Sequence, residues 1–404
     1  MIDPSRVRVT GPLAPFATGF VAELQRQGYT PGSAVHQLRL MDRLGRWLAE
    51  EGLDPGRLSP IEAERFLEAC RAAGHRLHIS PRGLAPLLAY LRGLGAVPAP
   101  SPAPAPAGEV EDLLARFRRY LITERGVEER TARDYSDGVR PFLNERASSM
   151  GLDLAELNAA DVNAFALTRC TRQSTGVAKK TVVALRSLLR FLHLQGVIPR
   201  SLAPAVPSVA GWRLAGLPRG LEPTQVRSLL DSCDRDTAKG RRDFAIVTML
   251  VRLGLRAGEV AALKLDDIHW RSGEIVVRGK GRRSERLPLP VDVGETIAAY
   301  LRDGRPDSAQ GRSVFIRLLA PHGALSRGGV TNVVASAAQR AGLEGVYAHR
   351  LRHTAATEML RGGASLSEVG QLLRHRHAQT TAIYAKVDRE ALRALARPWP
   401  GGAA

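Results

Sequence analysis

The sequence predicts a mainly α-helical protein of three domains, with a small antiparallel β-sheet confined to the third. Apolar residues recur at three-to-four spacing along most of the chain, as in Leu113, Phe117 and Leu121. Proline-rich breaks interrupt this pattern twice, and one later segment alternates like two strands joined by a glycine turn. A chain of 404 residues is also longer than a single hydrophobic core usually serves.

The proline-rich breaks set the predicted domain boundaries. Residues 99–107 alternate proline with small residues and offer almost nothing to a core, which is typical of a semi-extended linker. A weaker break from Ser201 to Leu221 contains three further prolines. We therefore expect domains at residues 1–98, 108–203 and 218–404.

The first two domains resemble each other. The stretch GYTPGSA that starts at Gly28 corresponds to GVEERTA at Gly126, and the segment from Leu58 corresponds to the one from Leu157. A third landmark, the leucine-rich run that ends in Pro98, corresponds to the run that ends in Pro199. Because the landmarks keep their order, we interpret residues 1–98 as a duplicated copy of the second helical bundle.

The third domain mixes helices with the predicted sheet. Ile246, Leu250 and Leu253 indicate a buried helix that stops near Gly254. Residues 274–278 and 286–289 read as two strands around the turn Gly279-Lys280-Gly281. Ser365 followed by Glu368 is typical of a capping box that opens a later helix.

The charge of the chain indicates a polyanionic partner. Lysine and arginine number 58 against 40 acidic residues, a net charge of +18. Such an excess favours nucleic acid, or an anionic membrane surface. No apolar run reaches the roughly 20 residues of a membrane span, and the N-terminus lacks a signal-peptide core. The widely separated Cys70, Cys170 and Cys233 form no metal-binding pair. We expect a cytoplasmic protein with a polyanionic partner and without metal or cofactor.

Two motifs in the third domain place basic residues where a phosphate could be bound. Arg256 follows a helix stop and has Glu259 three residues later, a carboxylate that could hold the guanidinium rigidly. Lys280 stands between two glycines at the tip of the predicted hairpin, where its side chain is free to project. Each motif alone is also common on protein surfaces.

Two further motifs add proton-transfer groups and a nucleophile. His349 and Arg352 are three residues apart, so a helical turn puts an imidazole and a guanidinium on one face. His375 precedes Tyr384 by nine residues. A tyrosine hydroxyl has an ordinary pKa near 10, so it attacks well only where nearby cations or a base favour the phenolate.

Together these motifs resemble the tyrosine recombinase (phage integrase) family over roughly residues 108–395. The resemblance implies a SAM-like helical core-binding domain followed by a catalytic domain. It also implies six catalytic positions, with Glu259 as their supporting carboxylate: Arg256, Lys280, His349, Arg352, His375 and the nucleophile Tyr384. Two flanking residues depart from the family pattern, Arg374 in place of glycine and Ala355 in place of phenylalanine.

The resemblance implies a site-specific recombinase that cleaves and rejoins double-stranded DNA through a 3′-phosphotyrosyl intermediate, in integration, excision or transposition. It implies a homo-tetramer on two DNA sites, with other recombinase chains as further partners. Lys179, Lys180 and Arg186 are candidate DNA contacts of the second domain. The alternatives are a type IB-like topoisomerase, which shares the chemistry, and a DNA-binding accessory protein derived from a recombinase. The accessory reading predicts a lost catalytic residue, yet all six are present.

Overall fold

The computed structural model describes residues 3–75, 79–99, 108–148, 151–210, 220–279, 284–374, 381 and 383–384. It divides the chain into two compact units, one formed by Met1–Pro98 with Gly216–Ala404 and the other by Ala99–Ala215. We refer to the described residues 3–98 as the N-terminal bundle, 108–210 as the central bundle and 220–384 as the C-terminal domain. Each has its own buried apolar cluster. Within these described residues, no helix is long and apolar enough to cross a membrane.

The N-terminal bundle packs amphipathic helices around Phe20, Leu44 and Phe66. Prolines at the first helical position and side-chain caps at Thr30, Ser59 and Ser80 start three of these helices. The helices are α1 (Ala17–Arg26), α2 (Pro31–Glu50), α3 (Pro60–Ala72) and α4 (Pro81–Gly93).

The central bundle repeats this arrangement around Phe117, Phe142 and Phe191. Its helices are α5 (Glu109–Thr123), α6 (Glu129–Asn144), α7 (Ala159–Thr171) and α8 (Thr175–Leu194). Two short antiparallel strands, β1 (Ala147–Ser148) and β2 (Gly151–Leu152), lie between α6 and α7. The sequence had not indicated this ribbon, because two-residue strands carry too few side chains to show alternation.

The sequence landmarks shared by the two bundles occupy matching structural positions. Ser59 and Asn158 each cap their helix, α3 or α7, in a capping box with an acidic residue three positions later. Gly28 and Gly126 both adopt positive φ angles, of 83° and 60°, at the end of the first helix of each bundle. These positions support the proposal that one bundle is a copy of the other.

The C-terminal domain surrounds the buried helix α10 (Ala238–Leu253), which buries Ile246, Leu250 and Leu253 as the sequence predicts. The other helices are α9 (Pro223–Asp231), α11 (Ala257–Ala261), α12 (Val291–Asp303), α13 (Arg327–Arg340), α14 (Ala348–Arg361) and α15 (Leu366–Leu372). The capping box of Ser365 and Glu368 at the start of α15 is present.

The sheet of this domain is antiparallel and has the strand order β3-β4-β5. The strands are β3 (Ile268–His269), β4 (Glu274–Arg278) and β5 (Ser284–Pro288). Arg278 pairs with Ser284, so the predicted hairpin exists and its connection is residues 279–283. Of the three strands of this sheet, β3 is the one that the sequence does not predict. The predicted fold class, mainly helical with a small antiparallel sheet, is confirmed.

The N-terminal bundle contacts the C-terminal domain through the end of α1. The His322 backbone N–H donates to the Gln27 carbonyl at 2.9 Å, and Arg26 donates to the Gln310 side chain at 2.7 Å. A Cβ added to Gly28 would come within 2.2 Å of the His322 ring. Glycine at position 28 is therefore required twice, for its positive φ and for this close approach.

Candidate active site

The site begins where α10 stops. Gly254 ends the helix in a left-handed conformation with φ of 57°, and the chain turns so that Arg256 becomes the N-cap of α11. The Arg256 backbone N–H donates to Glu259 Oε2 at 2.8 Å, and its Nη1 donates to Oε1 at 2.7 Å. The expected Arg–Glu pair is present, and Arg256 donates both bonds to the Glu259 carboxylate, which fixes the guanidinium relative to the helix start.

Glu259 holds a second arginine on its inner side. Arg374 Nη2 lies 2.7 Å from Glu259 Oε2, and both side chains are nearly inaccessible to solvent. Burial alone raises the pKa of Glu259, but Arg374 and the hydrogen bonds from Arg256 outweigh it and bring the pKa below its ordinary value. The carboxylate therefore stays charged in the interior.

Arg352 lies on the buried face of α14 and is 1% exposed. Its Nη1 donates to the Gly254 carbonyl at 2.5 Å, and its Nη2 donates to the Leu373 carbonyl. Burial, together with the nearby Arg256 and Arg374, lowers the pKa of Arg352 to about 10. Arg352 thereby joins the end of α10 to the end of α15.

Two histidines flank Arg352 on α14. The ring of His349 packs edge-on against that of His353, with their centroids 4.5 Å apart. Burial lowers the pKa of both rings, helped by Arg352, and brings the pKa of His353 to about 4. Both imidazoles are therefore neutral at pH 7 and able to accept a proton.

Tyr384 completes the site. Its side chain is 1% exposed and packs on Ala356, Val369 and Leu373. A hydrogen bond of 2.8 Å joins the Tyr384 hydroxyl to Nδ1 of His353. Burial raises the pKa of Tyr384 to about 12, although Arg352 acts in the opposite direction. In this resting arrangement the hydroxyl is protonated and covered.

Comparison with known proteins gives the family of the chain. The model described as the phage integrase family matches residues 219–391, and that of its N-terminal SAM-like domain matches residues 114–196. The putative integrase/recombinase y4rA of Sinorhizobium fredii is 41% identical over 396 residues, which cover 97% of this chain and 96% of that protein. The chain belongs to the phage integrase family of tyrosine recombinases. It is accordingly an enzyme of DNA strand breakage and rejoining.

Other proteins that this recombinase resembles are also recombinases or integrases. The tyrosine recombinase XerD of Listeria monocytogenes is 32% identical over 284 residues, covering 69% of this chain and 95% of that protein. Among solved structures, XerH bound to a palindromic difH substrate aligns with a TM-score of 0.55 at 20% identity, over 73% of this chain and 98% of that one. A lambda integrase dimer bound to a COC′ core site aligns with a TM-score of 0.53 at 18% identity, over 72% of this chain and 98% of that one. These likenesses confirm the fold.

The recombinase brings together five of the residues that the sequence singled out. Arg256 and Glu259 form an ion pair. The charge of Arg256 lowers the pKa of both His349 and Arg352. The charge of Arg352 in turn acts to lower the pKa of Tyr384. Lys280 and His375 lie outside the described residues. Among the described residues, no group of histidine, cysteine, aspartate and glutamate is arranged to hold a metal ion.

Sequence reasoning missed the positions of two side chains in this recombinase site. His353, which the sequence analysis did not single out, makes the hydrogen bond to Tyr384. Arg374, noted only as a departure from the family pattern, reaches Glu259. A signal existed for His353, because it lies one helical turn after His349, on the same face. The inward path of Arg374 depends on a backbone angle that the sequence does not reveal.

The candidate DNA contacts of the central bundle differ in their surroundings. Lys179 and Lys180 are exposed near the start of α8. Arg186 is half-buried, and its Nη2 donates to the Val206 carbonyl at 2.9 Å and to Ser208 Oγ at 3.0 Å. Arg186 thus has a structural role within its own bundle, and the two lysines are the stronger candidates for phosphate contact.

Proposed function

We propose that this protein is a site-specific recombinase in which Tyr384 attacks the scissile phosphodiester and forms a 3′-phosphotyrosyl link with a free 5′-hydroxyl. The observation that carries the proposal is the common site of Tyr384, Arg256 and Arg352 at the meeting of α10, α11 and α14. Tyr384 has the neutral His353 and the cation Arg352 as neighbours, and Arg256 lies next to Arg352, so the nucleophile and groups that could activate it share one site.

The arginines would stabilise the charge that develops on the phosphate. Arg256 and Arg352, with His375, would donate to the non-bridging oxygens of the pentacoordinate transition state. Arg352 already donates hydrogen bonds to two backbone carbonyls. A guanidinium has five N–H donors, so others remain for a phosphate. These fixed cations supply in this mechanism the charge that a metal ion supplies in other phosphoryl transfers.

Two proton transfers complete the chemistry. Lys280 would protonate the departing 5′-oxygen. The Tyr384 proton would pass to the His349–His353 pair, with His353 as the direct contact when its own proton is on Nε2. The raised pKa of Tyr384 makes this transfer unfavourable at rest, so we expect phosphate binding to precede it. The covalent link retains the energy of the broken bond, and rejoining needs no ATP.

The assembly that we propose is a homo-tetramer on two double-stranded DNA sites in the cytoplasm. The domains would be residues 1–98, 108–203 and 218–404, a division supported by the separate main apolar clusters of the N-terminal bundle, the central bundle and the C-terminal domain. Lys179 and Lys180 would contact phosphates from the central bundle. The first domain holds 12 arginines and no lysine against 9 acidic residues. This small excess suits an accessory role in placing the assembly rather than a share in the chemistry.

The experiment that tests site-specific recombination uses a supercoiled plasmid carrying two copies of the DNA that flanks the gene. Recombination predicts new junctions, found by sequencing, at fixed positions within the two copies. Relaxation of the plasmid without any new junction would identify a topoisomerase instead. Binding without either product would indicate an accessory DNA-binding protein.

A further inference from the structure

Arg374 has an unusual backbone for its residue type. Its φ is 55°, and among the described residues it is the only non-glycine residue with a positive φ. The left-handed region is unfavourable for residues with a Cβ, so such a conformation persists only where surrounding contacts maintain it.

Those contacts lie in the active site. The Arg374 side chain is 3% exposed, with its Nη2 2.7 Å from Glu259 Oε2 and its Nη1 2.9 Å from the Leu372 carbonyl. Its Nε is buried and has no hydrogen-bond partner among the described residues. Burying a guanidinium with one unsatisfied donor raises the free energy of the folded state. The ion pair with Glu259 offsets this cost and keeps the Arg374 side chain buried.

Glu259 thus stands between two arginines with different surroundings. The Arg256 side chain is 46% exposed and the Arg374 side chain is 3% exposed. Arg256 is therefore the accessible member, able to meet a phosphate from outside. Arg374 meets the carboxylate from within, so it acts through Glu259 rather than by contact with DNA.

The division of the carboxylate oxygens has a consequence for Arg256. Arg374 occupies Oε2, which also accepts the Arg256 backbone N–H, and Oε1 accepts a single bond from Arg256 Nη1. Arginine and a free carboxylate tend to form two parallel hydrogen bonds. With Oε2 taken, Arg256 is held by one side-chain bond, and its other donors stay available for a phosphate.

We propose that Arg374 is a positioning residue of the active site, which clamps Glu259 so that Arg256 is held in place with its remaining donors directed to the scissile phosphate. The proposal rests on the role given to Arg256 under the proposed function. It goes beyond that role by adding a third arginine that works without touching DNA.

A double-mutant cycle in single-turnover cleavage tests the clamp. The variants are Arg374→Gln, Glu259→Gln and their combination, assayed on a nicked suicide substrate at saturating protein. We expect Arg374→Gln to slow cleavage about 10- to 100-fold, the scale of a misplaced catalytic group, with DNA affinity within about threefold of the wild type. Because both residues act through one contact, the double variant should be no slower than the slower single variant.

Matched variants control the cycle. Arg340→Gln removes an exposed guanidinium from α13 that donates to the Ser232 carbonyl, and it should leave cleavage unchanged. Arg374→Lys keeps the charge and should recover part of the lost rate. Wild-type cleavage by Arg374→Gln, or losses that multiply in the double variant, would overturn the clamp. A lysine variant as slow as the glutamine variant would equally contradict the ion pair as its basis.

Thermal unfolding of the same proteins without DNA separates the clamp from the proposed function. The clamp predicts that the melting-temperature losses of Arg374→Gln and Glu259→Gln are not additive in the double variant. Additive losses would refute the Arg374–Glu259 contact whatever the activity. Non-additive losses in a wild-type protein that forms no DNA adduct would instead preserve the clamp and reject the proposed function.

Discussion

The Tyr384 hydroxyl lies 2.8 Å from Nδ1 of His353, one helical turn beyond His349. This contact joins the proposed nucleophile to a ring that burial keeps neutral, with a pKa of about 4. A neutral imidazole can accept the phenolic proton, but it carries no positive charge that would stabilise the phenolate. In the proposed mechanism, activation therefore comes from Arg352 and the other cations once a phosphate is bound.

The depressed pKa of His353 predicts a loss of stability in acid. The folded protein favours the neutral ring, whereas the unfolded chain takes up a proton near its ordinary pKa of 6.5. Stability from this group is thus present above pH 6.5 and declines as the pH falls towards 4. We expect the free energy of unfolding, measured by urea titration, to fall less steeply over that range in His353→Gln.

A control separates this effect from general acid unfolding. His269→Gln removes an exposed imidazole from β3, and it should retain the wild-type slope between pH 6.5 and 4. Equal slopes in the wild type and His353→Gln would show that His353 is not held neutral by the fold.

Replacing Arg256 or Arg352 should slow cleavage to a similar extent, but the two replacements should destabilise the folded protein to different extents. Arg256→Ala and Arg352→Ala should each slow cleavage by about 10² or more, the usual loss for a transition-state donor. Arg352→Ala should also cost about 2 kcal/mol or more in unfolding, because the buried carbonyls of Gly254 and Leu373 lose their donor. Arg256 is half-exposed and donates one side-chain bond to Glu259, so its removal should lower the melting temperature less than removal of Arg352.

Rates on the nicked substrate and melting curves check this pair. An Arg256→Ala variant that cleaves at the wild-type rate would exclude Arg256 from the phosphate site.

The exposed lysines of α8 should govern part of the salt dependence of DNA binding. Each phosphate contact makes the slope of log affinity against log salt more negative by about 0.9. Lys179→Ala combined with Lys180→Ala should therefore make the slope shallower by up to about 1.8. Arg186→Ala should leave the slope unchanged and lower the melting temperature, because it holds Val206 and Ser208.

Titration at several salt concentrations measures these slopes. A slope that becomes shallower with Arg186→Ala and not with the lysine variants would reverse our ranking of the two kinds of contact.

Much of the fold could be predicted because its signals are local. The burial of Ile246, Leu250 and Leu253, the stop at Gly254 and the cap at Ser365 depend on residues within a few positions of one another. The pairing of Arg256 with Glu259 was visible for the same reason. Spacing along one helix also indicated that His349 and Arg352 are neighbours, and the charge of Arg352 does act on His349.

The parts that could not be predicted depend on residues distant in sequence. The clamp joins Arg374 to Glu259 across 115 positions and needs a positive φ at an arginine. The contact of His353 with Tyr384 joins residues 31 positions apart. The contact of Gln27 with His322 spans two domains. No periodicity in the sequence encodes such meetings.

Because the N-terminal bundle contacts the C-terminal domain at Gly28, two glycine variants should lose different amounts of stability. Gly28 and Gly52 both follow a helix with positive φ, but only Gly28 has a neighbour, the His322 ring, within contact of an added Cβ. Gly52→Ala should lose about 1 kcal/mol for its backbone. Gly28→Ala should lose roughly 1–3 kcal/mol more for overpacking. In a His322→Ala background, the difference should disappear.

The same docking bears on the accessory role of residues 1–98. A truncation that begins at Gly108 should cleave a suicide substrate but recombine two full sites poorly. Wild-type recombination by the truncated protein would refute the accessory role. Complete loss of cleavage would place the N-terminal bundle in the catalytic unit itself.

The most direct test of the account is Tyr384→Phe on a nicked suicide substrate. Phenylalanine keeps the ring that packs on Ala356, Val369 and Leu373 and removes only the attacking oxygen. The wild type should form a protein–DNA adduct stable in SDS, with DNA attached to the Tyr384 peptide. The variant should bind the same DNA and form no adduct. An adduct in Tyr384→Phe of wild-type yield would contradict the assignment of Tyr384 as the nucleophile.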